Sequence, residues 1–137
     1  MRERRAIIVG GGRVAARKAA GLRGAGARVR VIAPRVSQDL RADEIERRGY
    51  QPGDLKGAVL AFAATNDRYV NRAVALEARR RRIPVNVADS LEECTFIVPA
   101  RVSRGPLQIA ISTGGRSPRV AKELRRRFES EIRKIAL

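Results

Sequence analysis

Three consecutive glycines near the N-terminus constrain the fold more than any other feature of this chain. Gly10-Gly11-Gly12 follows a short apolar run, Ala6 to Val9, of the kind that forms a buried strand. Apolar residues at helical spacing then extend from Val14 to Leu22, and Gly24-Ala25-Gly26 ends this pattern as a helix stop signal does. A strand, a loop without side chains and a helix in this order predict an α/β fold with a ligand-binding turn.

The glycine loop matches the fingerprint of a dinucleotide-binding turn. Gly10, Gly12 and Ala15 fit the pattern G-x-G-x-x-A. The first glycine permits a tight turn, the second lets the backbone approach a pyrophosphate, and a small third residue allows the helix to pack closely on the strand. A glycine triplet alone is also typical of an ordinary turn, but here the flanking strand and helix supply the context that the fingerprint requires. Gly10 and Gly12 are therefore predicted to bind a dinucleotide cofactor.

The acidic residue that usually binds the adenosine ribose is missing. It should follow the second strand, about 20 residues after the glycines. The alternating stretch Arg28 to Ile32 predicts that strand, and Ala33-Pro34-Arg35 follows it. Arg35 would favour the 2′-phosphate of NADP, whereas backbone groups or Ser37 would hold the ribose of NAD. The residues alone leave the preference between NAD and NADP open.

The rest of the chain predicts a Rossmann-like parallel sheet followed by a small appendage. The expected elements are a helix from Ser37 or Asp39 to about Arg48, a short strand at Tyr50 to Pro52, a strand at Ala58 to Ala64, a helix at Tyr69 to Arg82, a strand at Ile83 to Ala88, two antiparallel strands at Phe96 to Val102 and Leu107 to Ser112, and a last helix from Ser117-Pro118. We therefore expect a Rossmann domain over residues 1–94 and a β-hairpin-plus-helix appendage over residues 95–137.

Composition excludes several kinds of chemistry. The chain has one cysteine, Cys94, and no histidine. A disulfide framework, a thiolate cluster, a histidine-based triad and a histidine-based metal site are thus excluded, and no metal site is predicted. No apolar run approaches the roughly 20 residues that span a bilayer, and the N-terminal apolar stretch is too short for a signal peptide. These features predict a cytoplasmic chain without a membrane partner.

The charge balance points to an anionic partner. Lys and Arg number 30 against 14 Asp and Glu, which gives a net charge of +16. Such a surface attracts nucleic acid, acidic membranes or multiply charged small molecules, or it is simply solvated.

Four motifs, in order and over nearly the whole chain, resemble one known family. They are GGGRVAARKAAGLRGAGARVRVIAP from Gly10, AATNDRYVN from Ala63, NVADSLEECTFIVPA from Asn86 and GPLQIAISTGGRSPRVAKELR from Gly105. The chain resembles the precorrin-2 dehydrogenase / siroheme synthase N-terminal family, whose members open with GGGxVAxRK. Four motifs make this resemblance much more specific than a lone glycine loop.

The resemblance implies an oxidoreductase of siroheme biosynthesis. Members of this family oxidise precorrin-2 to sirohydrochlorin with NAD⁺, and some also insert ferrous iron, an activity that the sequence leaves open here. By motif position Asp89 matches the family's essential aspartate, which is proposed there as general base and as proton acceptor during metal insertion. Asp89 also follows a predicted parallel strand, where open α/β sheets place their ligands. Without the family pattern, a helix or turn cap before Ser90 is the alternative role.

The resemblance also assigns binding residues. Arg13, Val14, Pro34 and Arg35 fall where family members contact the cofactor. Thr65 and Asn66 lie in the loop after the fourth strand and are expected to face the same crevice. A tetrapyrrole bearing many carboxylates suits paired N–H···O contacts from arginine. The candidate substrate contacts are Asn86, Thr113, Arg116 and Ser117, with Arg101, Arg104 and Arg119 as further arginines. Thr113 stands where some members carry a serine that can be phosphorylated.

Two features of the resemblance concern assembly. Family members usually carry a segment before the first strand and a helical region after the last helix, so we expect a less enclosed tetrapyrrole site here. Family dimers form through the region that begins FIVPARVSRG, which this chain contains. Two strands in so small an appendage would hardly bury themselves alone. A homodimer is therefore predicted.

Two other classes of function remain as alternatives. A non-catalytic, nucleotide-sensing Rossmann module would bind NAD without a tetrapyrrole, but such modules usually keep the ribose acid and lack NVAD and GGRSP. A nucleic-acid binder is suggested by the charge alone, yet aromatic residues make up only 4% of the chain and leave few stacking platforms. The sequence therefore favours the enzyme and predicts no nucleic-acid partner.

Overall fold

The computed structural model describes residues 2–136, and these fall into two units that meet between Phe96 and Ile97. The boundary expected from the sequence lay near Cys94. Thr95 and Phe96 stay with the first unit because both are bonded to its last strand: Thr95 N–H donates to the Val85 carbonyl at 2.8 Å, and the Phe96 carbonyl accepts from the Asn86 amide at 3.2 Å.

The first unit is a five-stranded parallel sheet with a helix packed on each face. Its elements are β1 (Arg5–Val9), α1 (Arg13–Gly24), β2 (Arg28–Ile32), β3 (Glu44–Glu46), β4 (Leu60–Ala63), α2 (Arg68–Arg80) and β5 (Val85–Val87). The strand order is β3-β2-β1-β4-β5, which is the order of a Rossmann sheet. The chain passes from β1 to β2 and β3 on one side of β1, and then crosses to β4 and β5 on its other side. A crevice therefore forms at the carboxyl ends of β1 and its neighbours. The predicted fold class is confirmed.

The strands are apolar on both faces because both faces are covered. On one face Ile7 and Val9 pack with α2 residues such as Val74, and none of the three is more than 1% exposed. On the other face Ile8 packs with Ala15 and Ala19 of α1 and with Val29 and Val31 of β2. Small residues at the buried face of α1 let that helix lie close to the sheet, which brings its N-terminus next to the glycine loop.

The predicted helix from Ser37 or Asp39 to Arg48 and the predicted strand at Tyr50 to Pro52 are both wrong. The third strand is β3, which lies beside β2, and no helix occurs in this stretch of the described residues. The edge of β2 needs backbone partners: Asp43 N–H donates to the Val29 carbonyl at 2.9 Å, and Ala33 N–H to that of Glu46 at 3.0 Å.

Ion pairs join the charged residues of this stretch to the neighbouring strand and loop. Arg30 of β2 pairs with Glu46 of β3, and Arg48 reaches Glu46 at 2.7 Å and Asp54 at 2.8 Å. These pairings join residues across strands and loops, whereas a helix would have joined residues four apart.

The second unit is a β-hairpin followed by a helix, as expected. Strands β6 (Ala100–Arg104) and β7 (Leu107–Ile111) pair antiparallel, and α3 spans Pro118–Arg133. The Ser117 hydroxyl caps α3 by accepting the Val120 N–H at 3.4 Å, with Pro118 at the first helical position. At the other end, the Arg104 guanidinium donates to the carbonyls of the last turn, including that of Arg133 at 2.7 Å. Arg104, a candidate for substrate carboxylates, is thus engaged as a helix cap.

No helix within residues 2–136 combines the length and the apolar character needed to span a bilayer.

Candidate functional site

A cavity of about 950 Å³ opens at the carboxyl ends of β1, β2 and β4. Such a volume accommodates a ligand of cofactor size. The structure brings together here all the residues predicted to contact the cofactor, namely Gly10, Gly12, Arg13, Val14, Pro34, Arg35, Thr65 and Asn66. The crevice therefore lies where the strand order predicts it.

The three glycines have different structural roles. Gly10 has φ +131°, and a Cβ there would lie 2.2 Å from the Ala64 carbonyl oxygen. A Cβ on Gly11 would lie 2.0 Å from the Arg35 carbonyl oxygen. A Cβ on Gly12 would meet nothing within 4 Å. The first two glycines thus allow neighbouring loops to pack, and Gly12 leaves open space at the start of α1. Gly11 is not among the predicted contacts, because the fingerprint treats its position as variable.

The N-terminus of α1 is suited to an anion. Gly12 is the cap residue, no side chain caps the helix, and its first turn carries no acidic residue. The first N–H groups of a helix lack partners within the helix, and the helix dipole favours negative charge there. An uncapped helix start beside open space fits the pyrophosphate of a dinucleotide.

The segment after β2 forms the wall where a ribose acid would normally stand. Ser37 N–H donates to the Gly11 carbonyl at 2.7 Å, which fixes this segment against the glycine loop. Asp67 is the one acidic residue lining the cavity within the described part of the chain, and its carboxylate accepts from Tyr69 N–H at 2.8 Å as the cap of α2. Arg13 and Arg35 supply the positive charge of the lining.

The loop between β4 and α2 is held by a buried amide. Asn71 is 0% exposed; its oxygen accepts from the Thr65 hydroxyl at 2.6 Å, and its nitrogen donates to the Thr65 carbonyl at 3.0 Å. The Thr65 side chain thus supports the loop, while the exposed Asn66 borders the cavity. Asn71 was not predicted; its sequence signal is a polar residue on the buried face of α2.

Tyr50 borders the cavity, and a second buried polar side chain, that of Glu77, holds the loop that follows it. The Glu77 side chain is 3% exposed, and its carboxylate accepts from the backbone N–H groups of Gly53 and, at 3.0 Å, Leu55. Burial raises the pKa of the Tyr50 hydroxyl well above its ordinary value, and the Glu77 carboxylate raises it further. Glu77 therefore orders the loop that carries Tyr50, a role that its place among helical charges did not reveal.

Replacing Glu77 is expected to destabilise this loop and the fold. Glu77→Ala removes the acceptor of the exposed Gly53 N–H and leaves the buried Leu55 N–H without one, so the free energy of unfolding should fall by about 1–3 kcal/mol. Glu77→Gln keeps one acceptor oxygen and should lose about half as much. Urea unfolding of the two variants measures both values, and an unchanged Glu77→Ala would contradict the role of this carboxylate.

Asp89 lies just beyond the carboxyl end of β5. Its side chain is 38% exposed, and its Oδ1 accepts from the Arg68 guanidinium at 2.6 Å. Asp89 is not among the residues that line the cavity. The Arg68 contact was not predicted, because the two residues are 21 positions apart in the sequence.

Asn86, a predicted substrate contact, has its amide engaged inside the first unit. Its Oδ1 accepts from the Lys18 ammonium at 3.1 Å, and its Nδ2 donates to the Phe96 carbonyl at 3.2 Å. The same ammonium lies 4.9 Å from the centre of the Phe62 ring. Burial lowers the pKa of Lys18 below its usual value. Asn86 thus links α1 to β5 and to the end of this unit.

The other three predicted substrate contacts share one turn of the second unit. The Thr113 hydroxyl accepts the Ser117 N–H at 3.0 Å, and Arg116 N–H donates to the Thr113 carbonyl at 3.3 Å. The Arg116 residue is exposed. The turn therefore gathers Thr113, Arg116 and Ser117 at the N-terminus of α3.

Comparison with known proteins finds matches over nearly the whole chain. A family model described as putative NAD(P)-binding matches residues 1–100, and one described as the central part of a sirohaem biosynthesis protein matches residues 104–131. The siroheme synthases of Methylobacillus flagellatus and Azotobacter vinelandii are 47% and 45% identical to 96% of the chain. The chain spans about 30% of the length of these two relatives.

A solved structure shares the fold and much of the sequence. SirC, a precorrin-2 dehydrogenase, superposes with a TM-score of 0.80 and 32% identity over 95% of this chain and 67% of its own. The NAD(P)-binding model covers most of the chain, so the crevice belongs to a domain that binds a nicotinamide cofactor. The resemblance inferred from the four motifs is confirmed, and the chain belongs to the precorrin-2 dehydrogenase / siroheme synthase N-terminal family.

Proposed function

We propose that this protein is an NAD-dependent dehydrogenase that oxidises precorrin-2 to sirohydrochlorin in siroheme biosynthesis. The observation that carries the proposal is the crevice at the glycine loop, formed by the residues that the family pattern assigns to the cofactor. The extensive match to a precorrin-2 dehydrogenase structure supports it.

The cofactor would be held mainly by backbone. The first N–H groups of α1, including those of Arg13 and Val14, would bind the pyrophosphate, and Gly12 leaves the approach to them open. Pro34 and Arg35 would border the adenosine ribose, and Asn66 borders the crevice from the β4 side. When bound, the dinucleotide supplies the hydride acceptor. NAD⁺ is the proposed form, although Arg35 in place of an acid would also suit a 2′-phosphate.

Asp89 is the proposed proton acceptor. Oxidation of a reduced tetrapyrrole removes a hydride and a proton, and a carboxylate at the carboxyl end of the sheet is a suitable base for the proton. Thr113, Arg116 and Ser117 are proposed to contact the substrate's carboxylates, and Asn86 is proposed as a further substrate contact.

Anaerobic turnover tests the function directly. Purified protein is mixed with precorrin-2 and NAD⁺, the absorbance change to sirohydrochlorin is followed, and NADP⁺ is run in parallel. We expect turnover, and the ratio of the two rates reports how Arg35 acts. Binding of NAD⁺ without turnover would contradict the proposal and favour a nucleotide-sensing module. Adding ferrous iron to the product mixture tests iron insertion separately.

A homodimer is expected through the second unit. Among residues 97–136, Val102 and Ile132 are the only buried apolar residues, while Ile97, Val98 and Phe128 are 39–47% exposed. A unit of about 40 residues with so few buried apolar side chains usually needs an additional stabilising contact, such as a second subunit. Sedimentation equilibrium at micromolar concentration should give twice the chain mass.

A substitution of the exposed Val98 tests whether the second unit forms the dimer contact. Val98→Asp should shift the equilibrium toward monomer, because a charge would be buried at the contact. The circular dichroism of the first unit should stay unchanged. A wild-type chain that sediments as a monomer would contradict the dimer.

A further inference from the structure

The carboxylate proposed as proton acceptor has a charged partner that no motif suggested. Arg68 is the first residue of α2, and its Nη1 lies 2.6 Å from Oδ1 of Asp89. Its Nη2 pairs with Glu93, whose side chain is 18% exposed. One guanidinium thus bridges two acids of the segment that follows β5.

Local structure explains why the three groups meet. Asp89 precedes a short 3₁₀ segment, Leu91–Glu93, and Glu93 is the last residue of that segment. Arg68 directly follows Asp67, which caps α2 and borders the cavity. The planar guanidinium can hold two carboxylates at once in a fixed geometry. Held by Glu93 on one side, it presents a fixed donor to Asp89 on the other.

We propose that Arg68 is a positioning residue that orients the carboxylate of Asp89 for proton transfer. The proposal rests on the proposed function. Arg68 occupies Oδ1, which leaves Oδ2 to accept the proton. Burial does not fix the Asp89 side chain, which is 38% exposed, so the ion pair is what selects its orientation. Because Arg68 follows the cavity-lining loop, it also links the wall of the cofactor crevice to the proton acceptor.

The exposure of the Arg68 and Asp89 side chains allows a positioning role to be distinguished from a merely structural one. The side chains of Arg68 and Asp89 are 42% and 38% exposed, and ion pairs in such positions contribute little to folding stability. Loss of Arg68 should therefore leave the thermal midpoint nearly unchanged. The orientation of a catalytic group matters far more, since a displacement of about 1 Å can cost a hundredfold in rate.

Turnover of Arg68→Met is the main test. We expect kcat to fall about tenfold or more, while the KM for NAD⁺ changes less than about twofold. Arg68→Lys keeps the charge and should recover part of the rate. Arg79→Met is the matched control: Arg79 lies on the same helix and donates to the Glu92 carbonyl of the same turn at 3.2 Å, and this variant should turn over as the wild type does.

A double-mutant cycle shows whether Arg68 acts through Asp89. If it does, Arg68→Met should cost almost nothing in an Asp89→Asn background, because the group that it orients is no longer a base. Full additivity of the two losses, or a kcat of Arg68→Met equal to that of the wild type, would overturn the proposal.

A spectroscopic readout makes the test independent of turnover. A guanidinium held by two carboxylates rotates slowly, so the two Arg68 Nη nitrogens should give separate ¹⁵N resonances in the full chain. Asp89→Asn should shift or merge them, and Arg79→Met should not. If precorrin-2 is not turned over, the proposed function fails, and this spectrum still tests whether Arg68 holds the Asp89 carboxylate. Merged Arg68 resonances in the wild type would overturn the positioning role.

Discussion

Gly12→Ala is expected to fold as the wild type does and to lose most of its affinity for the dinucleotide. The backbone at Gly12 has φ −86° and ψ −163°, which any residue adopts, and the added Cβ meets nothing within 4 Å. The methyl group would occupy the space through which a pyrophosphate approaches the first N–H groups of α1. We expect Kd for NAD⁺ to rise about a hundredfold, or roughly 2.7 kcal/mol. Isothermal titration calorimetry measures this loss.

Gly10→Ala is the matched control, because the same substitution two residues earlier acts on the fold. Its Cβ would lie 2.2 Å from the Ala64 carbonyl oxygen, at φ +131°. Backbone atoms must move to relieve that contact, so this variant should lose several kcal/mol of stability, on the order of 3 or more. Wild-type affinity in a well-folded Gly12→Ala would contradict the assignment of α1 as the pyrophosphate site.

Much of the sheet could be predicted because its signals are local. The alternation of Arg28 to Ile32 gave β2 with the bounds that the structure has, and the glycine loop predicted the β1–α1 turn. Residues 37–52 could not be predicted in the same way. Ser37 or Asp39 is a possible helix cap, but the free edge of β2 takes a strand from this stretch, and Arg30 and Arg48 each form an ion pair with Glu46 of that strand.

The residues of the site were likewise predictable where their signals are local in the sequence and not where they depend on packing. The eight cofactor candidates that line the crevice were predictable because they follow closely after strand ends, whereas Tyr50 and Asp67 in the same lining were not predicted. Partners that meet only in the folded chain were not, since Arg68 and Asp89 are 21 residues apart and Lys18 and Asn86 are 68 apart. Such pairs depend on how elements pack, and the spacing of residues within one element does not contain that information.

Asp89→Asn is expected to keep the fold and NAD⁺ binding and to lose turnover. The amide has nearly the shape of the carboxylate, and its oxygen can still accept from Arg68, so position is preserved while basicity is lost. Removal of a general base typically costs 10²–10⁴-fold, and we expect kcat to fall about a thousandfold. Anaerobic conversion of precorrin-2, with NAD⁺ affinity measured by calorimetry on the same samples, gives both quantities.

The control for Asp89→Asn must remove a nearby charge without touching the proposed chemistry. Glu92→Gln does so, because Glu92 is exposed in the same turn and its side chain makes no ion pair among residues 2–136. This variant should turn over like the wild type, which separates loss of the base from loss of local negative charge. An Asp89→Asn enzyme with wild-type kcat would show that the proton leaves by another route. Equal losses in both variants would instead assign the effect to the electrostatic field of the turn.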